Sequence, residues 1–319
     1  GYVRPETADS LRFFSDLPCR SAVVFAMDGD RCVGSHVLWA KPLSVGGSVF
    51  VAGESVDVMV APECRGHGLS VRMAELAEQV MGERGGEILY SMHNEKSPSL
   101  HAFLRHLGWT HIGDAENWML AVRAAGRRIH PLTHWRNARI GARLPTLDAG
   151  VRMVVGRPSE AEFESLQALE KGAGTLVRTP RNREWLETRF GGAMRTDMEW
   201  VRIQRAGRTV AAACWEVRGR DWIANGAPAG PAMIVDLLGS DADAVQAVAA
   251  VLWRCRKAGC RNVGVIGCDR RNRDLLAPMG FDLRRSLPLI VKRLSNDDRL
   301  DTVFQIGNWS MLSSSFDTV

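Results

Sequence analysis

The sequence has few of the features that would place a protein at a membrane. No apolar run approaches the ~18 residues that a membrane-spanning helix needs. The richest stretch, Val245 to Trp253, is short and predicts a buried helix. The opening Gly-Tyr-Val-Arg has no apolar core and no cleavage site of a signal peptide. We therefore expect no membrane association and a cytoplasmic location, and the missing initial methionine suggests a fragment of a longer protein.

Metal centres and nucleic-acid binding are also poorly supported. The seven cysteines are scattered without a CxxC pair, and no Cys/His spacing matches a zinc site. We expect reduced thiols and no metal. No basic run is interleaved with aromatic residues, so we expect no nucleic-acid partner. Tyrosine is scarce: Tyr2 and Tyr90 are the only two.

The size and charge of the chain set broad bounds. Its 319 residues predict two domains of roughly 150 residues each. The net charge of +5 and pI near 9.0 fit a polyanionic ligand, an acidic protein partner or an ordinary solvated surface. The segment 124–150 is rich in arginine and lacks glutamate, and it predicts a basic linker between residues 1–123 and 151–319.

The hydrophobic pattern predicts alternating strands and helices in the first half. A hairpin turn, Asp28-Gly29-Asp30, separates two apolar runs. The predicted strands are Val23–Met27, Cys32–Trp39, Ser55–Val60, Glu87–Met92 and Trp118–Val122. The predicted helices are Ser70–Arg84, with Met73, Leu76, Ala77 and Val80 on one face, and Ser97–Leu107.

The second half repeats this order of elements at an offset of roughly 175 residues. The matching strands are Val201–Gln204, Val210–Val217, Pro231–Leu238, Asn262–Cys268 and Leu287–Lys292, and the matching helix is Asp243–Ala258. The apolar tail from Phe304 to Val319 has no counterpart in the first half. We expect this tail to reach across to the first half and cover an exposed sheet edge.

The most informative segment runs from Val56 to Ser70, where a strand, a glycine-containing turn and a helix follow one another. The first turn of a helix leaves backbone N–H groups unpaired and carries a partial positive charge. Glycine lets the backbone come close to an anion. The segment therefore predicts a phosphate site, although it is neither GxGxxG nor a P-loop.

These residues resemble the GNAT superfamily of acyl-CoA N-acyltransferases. Arg65-Gly66-His67-Gly68-Leu69-Ser70 matches its Arg/Gln-x-x-Gly-x-Gly/Ala motif, with Ser70 as a departure at the last position. Asn94 after the next strand and Gly108-Trp109 after the next helix match later family signatures. The resemblance implies an α/β (α+β) protein of two GNAT-like domains, each a mixed, mostly antiparallel sheet flanked by helices.

The resemblance also implies where acetyl-CoA or another acyl-CoA would bind. Met59 and Val60 would pair their backbone with the pantetheine arm. Backbone amides of the loop would hold the pyrophosphate, and Asn94 would lie at the same site. The loop residues are Arg65, Gly66, His67, Gly68, Leu69 and Ser70.

The catalytic groups are less defined than the coenzyme loop. Glu54 lies six residues before Val60, where some family members carry the general base. Asp57 is on the same strand but should point to the opposite face of the sheet, so at most one of the two faces the substrate. The family's usual acid, a tyrosine four residues before the closing glycine, is replaced by Leu104. Water, His93 or His106 are the remaining candidates for the acid.

The second half lacks the phosphate loop. Between its strand and helix stand Asp241 and Asp243, which would stabilise the helix start and repel a pyrophosphate. We therefore expect one coenzyme site, in residues 1–123, and a degenerate GNAT-like second domain that either shapes the acceptor site or is purely structural.

Several functions fit this pattern. The leading hypothesis is transfer of an acyl group, acetyl by preference, from coenzyme A to an amine of a small molecule; two-lobed enzymes of thiol-cofactor biosynthesis also fit it. The alternatives are a polyketide-synthase loading domain that acts on an acidic acyl carrier protein and a non-catalytic CoA-binding module.

Overall fold

The computed structural model describes residues 21–123, 135, 138–170, 177–180, 198–217, 231–268 and 270–311. Its N-terminal strands are β1 (Ala22–Asp28), β2 (Arg31–Val45), β3 (Ser48–Val60), β4 (Ile88–Met92) and β5 (Thr110–Ala121). Helices α1 (Leu69–Glu83) and α2 (Pro98–His106) lie on either side of β4 in the chain. Residues 124–134 and 136–137 of the arginine-rich linker, and the tail beyond Met311, lie outside the described residues.

The second half has its own series of strands and helices. Its elements are β6 (Val151–Val155), α3 (Glu160–Glu170), β7 (Val177–Arg178), β8 (Met198–Arg205), β9 (Arg208–Val217), β10 (Ala232–Gly239), α4 (Asp241–Ala258), β11 (Asn262–Gly267), α5 (Arg270–Leu276) and β12 (Asp282–Arg293). Two 3-10 helices, Asp298–Phe304 and Ile306–Asn308, follow β12. None of the helices in the described ranges is long and apolar enough to cross a membrane.

Two strands are much longer than predicted, and a glycine pair explains why. β2 and β3 pair antiparallel from Val45↔Ser48 down to Gly34↔Val60. The connecting residues Gly46 and Gly47 both have positive φ, +56° and +89°. Such a two-residue turn twists with the strands and favours a long hairpin. The sequence prediction recognised the turn at Gly29 and missed this second one.

The strands of the two halves form one continuous mixed sheet, because the halves exchange their last strands. Over the described residues the order is β1-β2-β3-β4-β12-β5-β11-β10-β9-β8-β6, with β7 paired to β2. Strand β12 lies between β4 and β5, and β5 lies between β12 and β11. All pairs are antiparallel except β3–β4 and β10–β11. The predicted class, mixed and mostly antiparallel sheet flanked by helices, is confirmed, whereas the exchange of strands was not anticipated.

Three hydrophobic cores cover the two faces of this sheet. Helices α1 and α2 pack on β1, β2 and β4, while α4 and α5 pack on β9, β10 and β11. The third core, on the opposite face, contains residues of both halves together with α3 and the tail. Neighbouring residues of one strand show the division: Leu289 belongs to the shared core and Ile290 to the core of α1.

The described part of the tail reaches the first half, but it packs in the shared core on one face of the sheet, beside the central strand β4, and not along the sheet edge that the sequence led us to expect. Trp309 is 1% exposed, and its indole Nε1 donates to the carbonyl of Val303 at 2.8 Å. Its ring meets the edge of Tyr90 on β4, with centroids 5.8 Å apart. Met311 accepts a backbone hydrogen bond from Cys268 at 3.1 Å. The tail therefore touches strands of both halves.

We expect Trp309→Ala to lower the free energy of unfolding by about 3–5 kcal/mol, because it removes a fully buried aromatic side chain from the shared core. Chemical denaturation with far-UV circular dichroism measures the change. Phe25→Ala is the control, since Phe25 is 62% exposed and should cost much less. Equal losses in the two variants would show that the tail does not stabilise the core.

Candidate functional site

The loop between β3 and α1 is built to leave backbone N–H groups open. After Val60 the chain makes one 3-10 turn, Pro62–Cys64, and enters α1 at Leu69. The N-cap of α1 is Gly68, no side chain caps it, and the first turn carries no acidic residue. The first-turn amides have no partner within the helix and carry its partial positive charge. An anion at this position would accept hydrogen bonds from these amides and would be attracted by the positive charge.

Two glycines give the loop its shape. Gly66 and Gly68 have φ of +83° and +71°, in the left-handed region where a side chain is costly. No atom lies within 4 Å of the Cβ position at either residue. Glycine is therefore required here for backbone conformation, and the space beside the loop is open to a ligand. Arg65 folds back, donating from Nε to the carbonyl of Val60 at 3.0 Å.

This loop forms one end of a cleft of about 750 Å³. The walls come from the start of β2, the end of β3, the loop and the first residues of α2. The lining residues are Cys32, Val33, Gly34, Ser35, Val58, Met59, Val60, Ala61, Cys64, Arg65, Gly66, Gly68, Leu69, Ser70, Ser97, Pro98 and Ser99. Of the predicted coenzyme-binding residues, all line the cleft except His67 and Asn94.

The structure adds two walls that the sequence prediction missed. Residues 32–35 of β2 face the cleft because the long hairpin brings them beside the end of β3. Ser97, Pro98 and Ser99 face it because α2 begins there. Reading Gly46-Gly47 as a tight hairpin would have placed β2 correctly. No sequence signal marked the start of α2 as part of the site.

Strands β3 and β4 run parallel only briefly and then separate, which opens the cleft. Their pairing ends at Glu54↔Tyr90. Beyond this point a bulge at residues 57 and 58 interrupts the pairing of β3 with β2, opposite His36. At the point of separation, Ser91 Oγ donates to the carbonyl of Ser55 at 2.9 Å. On its other side, the chain after β4 is held by β12: the His93 amide donates to the Pro288 carbonyl at 3.0 Å.

Glu54 lies on the face of β3 that points away from α1. Its predecessor Gly53 directs its missing Cβ at Leu89 and Met81, so Glu54 points to the shared core. The carboxylate is 3% exposed and is paired with Lys41 Nζ. Lys41 Nζ also lies 4.0 Å from the ring centroid of Trp39. The predicted base is therefore already bound to an ammonium group, and it is absent from the lining of the cleft. The side chain of the other candidate, Asp57, lies outside what the structure describes.

His93 lies next to the cleft, behind the start of α2. Its Nδ1 is 3.3 Å from Ser99 Oγ, and Ser99 Oγ is 2.6 Å from Ser97 Oγ. Its ring meets the edge of Phe103 at 5.4 Å between centroids. Burial lowers the pKa of His93 to about 4. The imidazole is thus neutral at pH 7, and two hydroxyl groups connect it to the cleft.

Asn94 has a structural role in the described geometry. It is exposed, its side-chain Oδ1 accepts from the amide of Lys96 at 3.2 Å, and its carbonyl accepts from the amide of Ser97 at 2.8 Å. These contacts form the turn that leads into α2. A direct contact between Asn94 and the coenzyme remains a prediction, as it does for the exposed His67.

The corresponding loop of the second half is closed by side chains. α4 begins at Asp241 with Ser240 as N-cap, and the Ser240 side chain accepts from the amide of Asp243. The Asp243 carboxylate lies 3.3 Å from Arg205. The first turn of α4 therefore has its own acceptors, whereas the first turn of α1 has none. Gly239 also has its Cβ position 2.6 Å from the Val210 carbonyl, so this turn is packed against β9.

The sequence comparison agrees with this geometry. Residues 1–112 match the family model described as an acetyltransferase (GNAT) domain. The match spans β1 to β4, the helices α1 and α2, and the whole loop. No curated protein matches the chain significantly.

Solved structures with a similar fold are N-acyltransferases. A probable N-acyltransferase from Enterococcus faecalis V583 has a TM-score of 0.60 at 14% identity, covering 91% of this chain and 66% of its own. A GCN5-related N-acetyltransferase from Anabaena variabilis has a TM-score of 0.59 at 15% identity, covering 91% and 67%. Saccharomyces cerevisiae N-myristoyltransferase with bound myristoyl-CoA has a TM-score of 0.59 at 11% identity, covering 84% and 65%. At such low identity the likeness establishes the fold alone, and the chain spans about two thirds of the length of these proteins.

We expect stability to fall as the pH drops from 6.5 towards 4, because two buried histidines stay neutral in the folded state. The pKa of His36 and that of His93 are both lowered from 6.5 to about 4 by burial, and His93 lowers that of His36 further. Between pH 6.5 and about pH 4 the two histidines bind protons in the unfolded chain but not in the folded one. Above pH 6.5, the lowered pKa of each histidine therefore contributes about 3 kcal/mol to the free energy of unfolding.

Urea denaturation at pH 7 and at pH 4.5 measures the effect. His36→Gln should show a markedly smaller loss between the two values than the wild type. His111→Gln is the matched control, because His111 is on the surface, with half of its side chain exposed and paired with Asp114. If His36→Gln lost as much stability between pH 7 and pH 4.5 as the wild type, His36 would not be a source of the pH dependence.

Proposed function

We propose that the chain is an acyl-CoA-dependent N-acyltransferase that moves an acyl group, acetyl by preference, to an amine of a small molecule. The observation that carries the proposal is the uncapped first turn of α1, reached through two left-handed glycines at the end of a 750 Å³ cleft. That arrangement suits a pyrophosphate. The GNAT model match over residues 1–112 supports the same assignment.

The diverging strands supply the rest of the coenzyme site. The pantetheine arm would lie along Met59 and Val60, where β3 no longer has β4 as a neighbour, and it would compete with Arg65 for the Val60 carbonyl. The thioester would then lie near Ser55, where the strands separate. The reaction is direct: the amine nitrogen attacks the thioester carbon, the C–N bond forms, the C–S bond breaks, and the thiolate is reprotonated.

For the acid that reprotonates the thiolate, we propose His93 acting through Ser99. The hydroxyls of Ser97 and Ser99 line the cleft, and Ser99 contacts His93 Nδ1. For the base, Glu54 remains a candidate only if Lys41 releases it during turnover.

We propose further that one half binds the coenzyme and the other does not. Residues 1–123 carry the open loop, and residues 151–319 carry the capped one with Asp241 and Asp243. The second half would shape the acceptor site, and the exchanged strands β5 and β12 would hold the halves in a fixed relation.

The coenzyme site is tested by Gly68→Gln. A Cβ at φ +71° costs about 1–2 kcal/mol of backbone strain, and the long side chain would occupy the space beside the loop. We expect the affinity for acetyl-CoA, measured by titration calorimetry, to fall by about tenfold or more. Gly207→Gln is the matched control: its φ is +78° with no atom near its Cβ, and it lies in the β8–β9 turn. Unchanged affinity in Gly68→Gln would refute the site.

The role of Glu54 is tested by separating its effect on stability, through the Lys41 charge, from its effect on catalysis. Glu54→Gln takes the carboxylate away from the buried Lys41 ammonium group, which should cost about 3–5 kcal/mol of stability. The double variant Lys41→Met/Glu54→Gln removes the buried ammonium group as well and should recover most of that loss. If Glu54 is the base, acyl transfer by the folded double variant falls on the order of 100-fold, with an unchanged KM for acetyl-CoA. Wild-type turnover in the double variant would exclude Glu54 as the base.

A further inference from the structure

An ammonium group from the second half connects the two helices whose first residues line the coenzyme cleft. Lys292 lies on β12, two residues after Ile290, and therefore on the face of the sheet that α1 and α2 cover. Its Nζ donates to the Glu78 carboxylate of α1 and, at 2.6 Å, to the carbonyl of Leu107, where α2 ends. One atom of β12 therefore contacts both helices.

The Glu78 carboxylate is at the centre of this contact. Its side chain is 8% exposed, and a carboxylate in such a position is costly unless it is paired. One oxygen accepts from Lys292, and the other accepts from the indole Nε1 of Trp109 at 2.7 Å. The aromatic residue after Gly108 thus supplies a hydrogen-bond donor as well as a ring. We call Glu78, Lys292, Trp109 and the Leu107 carbonyl the helix clamp.

The contact with Leu107 stabilises the end of α2. The last carbonyls of a helix have no partner within the helix and carry its partial negative charge. Leu107 is the C-cap residue, and Gly108 turns the chain away with a φ of +69°. The ammonium group of Lys292 donates a hydrogen bond to this carbonyl and is attracted by the negative end of the helix.

Both helices of the clamp have their other ends in the cleft. Leu69 and Ser70, the first residues of α1, line the cleft beside the phosphate loop, and so do Pro98 and Ser99 at the start of α2. The nine residues of α2 make a rod about 13 Å long. Because the clamp holds α2 at its far end and α1 beyond its middle, it fixes the angle between two rods that meet the ligand at their other ends.

The clamp is polar although apolar side chains could fill the same space. Replacement of a buried ion pair by well-packed apolar groups is often neutral or stabilising, so stability alone does not require the pair. Polar contacts add direction, because a hydrogen bond constrains the distance and the angle between its partners. The hydrophobic effect is non-directional and does not set the relative position of two helices in this way.

We propose that Lys292 is a positioning residue for the coenzyme, which sets the separation between the phosphate loop and the start of α2. This inference rests on the proposed acyl-CoA-dependent function. It makes the coenzyme affinity of the first half depend on a side chain of the second half. The second half then takes part in the coenzyme site, whatever it contributes to acceptor binding.

The test separates stability from affinity with substitutions in the clamp. Lys292→Met removes the ammonium group and leaves the Glu78 carboxylate with Trp109 alone. The double variant Glu78→Gln/Lys292→Met also removes the carboxylate, so its stability should recover while the clamp stays broken. Lys292→Arg is the conservative variant. Arg293→Met is the matched control, because Arg293 is the next residue of β12, is 25% exposed against 24% for Lys292, and is paired with Asp301 on the other face.

Acetyl-CoA and ADP are the two ligands, and titration calorimetry measures their affinities. ADP has the pyrophosphate without the pantetheine arm, so its affinity should depend on the loop alone. We expect the double variant to bind acetyl-CoA about tenfold more weakly than the wild type and to bind ADP within about twofold of it. Lys292→Arg should keep most of the affinity for acetyl-CoA, and Arg293→Met should keep all of it.

Urea denaturation with far-UV circular dichroism identifies the variants that fold. Trp109→Phe, which removes one donor from Glu78 and keeps an aromatic ring, is the milder break in the clamp and should weaken acetyl-CoA binding about threefold. If the double variant does not fold, unchanged acetyl-CoA affinity in Trp109→Phe would overturn the positioning role.

A folded double variant that binds acetyl-CoA as tightly as the wild type would overturn the positioning role, because the clamp would then serve stability alone. An equal loss of affinity for acetyl-CoA and ADP would also overturn it, since α1 as a whole would be disturbed. A wild-type protein that binds no acetyl-CoA would instead overturn the proposed coenzyme site, and the role of Lys292 with it.

Discussion

The backbone pairing of β12 with both β4 and β5 holds the molecule together. This strand comes from the end of the chain, yet it fills the middle of the sheet and separates two strands of the first half. Its residues alternate between the shared core and the core of α1, so one strand supports both faces. The Pro288 carbonyl also holds the amide of His93, which places the candidate acid. The cleft in the first half therefore depends on a strand that belongs to the second.

The two halves have similar strand pairings but differ in a few residues at the start of a helix. In both halves a parallel pair of strands separates, with a bulge before the helix that follows. The first half then places Gly66 and Gly68 at the helix start and leaves its amides open. The second places Ser240, Asp241 and Asp243 there and satisfies the amides internally. The same backbone can thus bind an anion or exclude one, depending on which groups reach the first turn.

The polar groups around the point of separation are divided between the two faces of the sheet. Glu54 and Lys41 lie on the face of the shared core, while His36, Ser55 and His93 lie on the face of α1 and α2. An ion pair in this position is costly to break because an unpaired buried charge remains. Neutral imidazoles and hydroxyls can exchange protons without creating such a charge. This physical difference favours His93 and its hydroxyl partners for proton movement during the proposed reaction.

The sequence by itself determined the order of the elements and the glycine-containing loop before α1, because each is encoded by neighbouring residues: hydrophobic period, turn glycines and a helix start. It also indicated from Asp241 and Asp243 that the second half differs from the first. Only the tertiary structure decided that β5 and β12 exchange places, since hydrophobic pattern identifies a strand without specifying its partner. It likewise decided that Glu54 is paired with Lys41 and that His36 packs against Phe103. Those contacts join residues 13 and 67 positions apart in the chain, and a separation of that kind leaves no local signal.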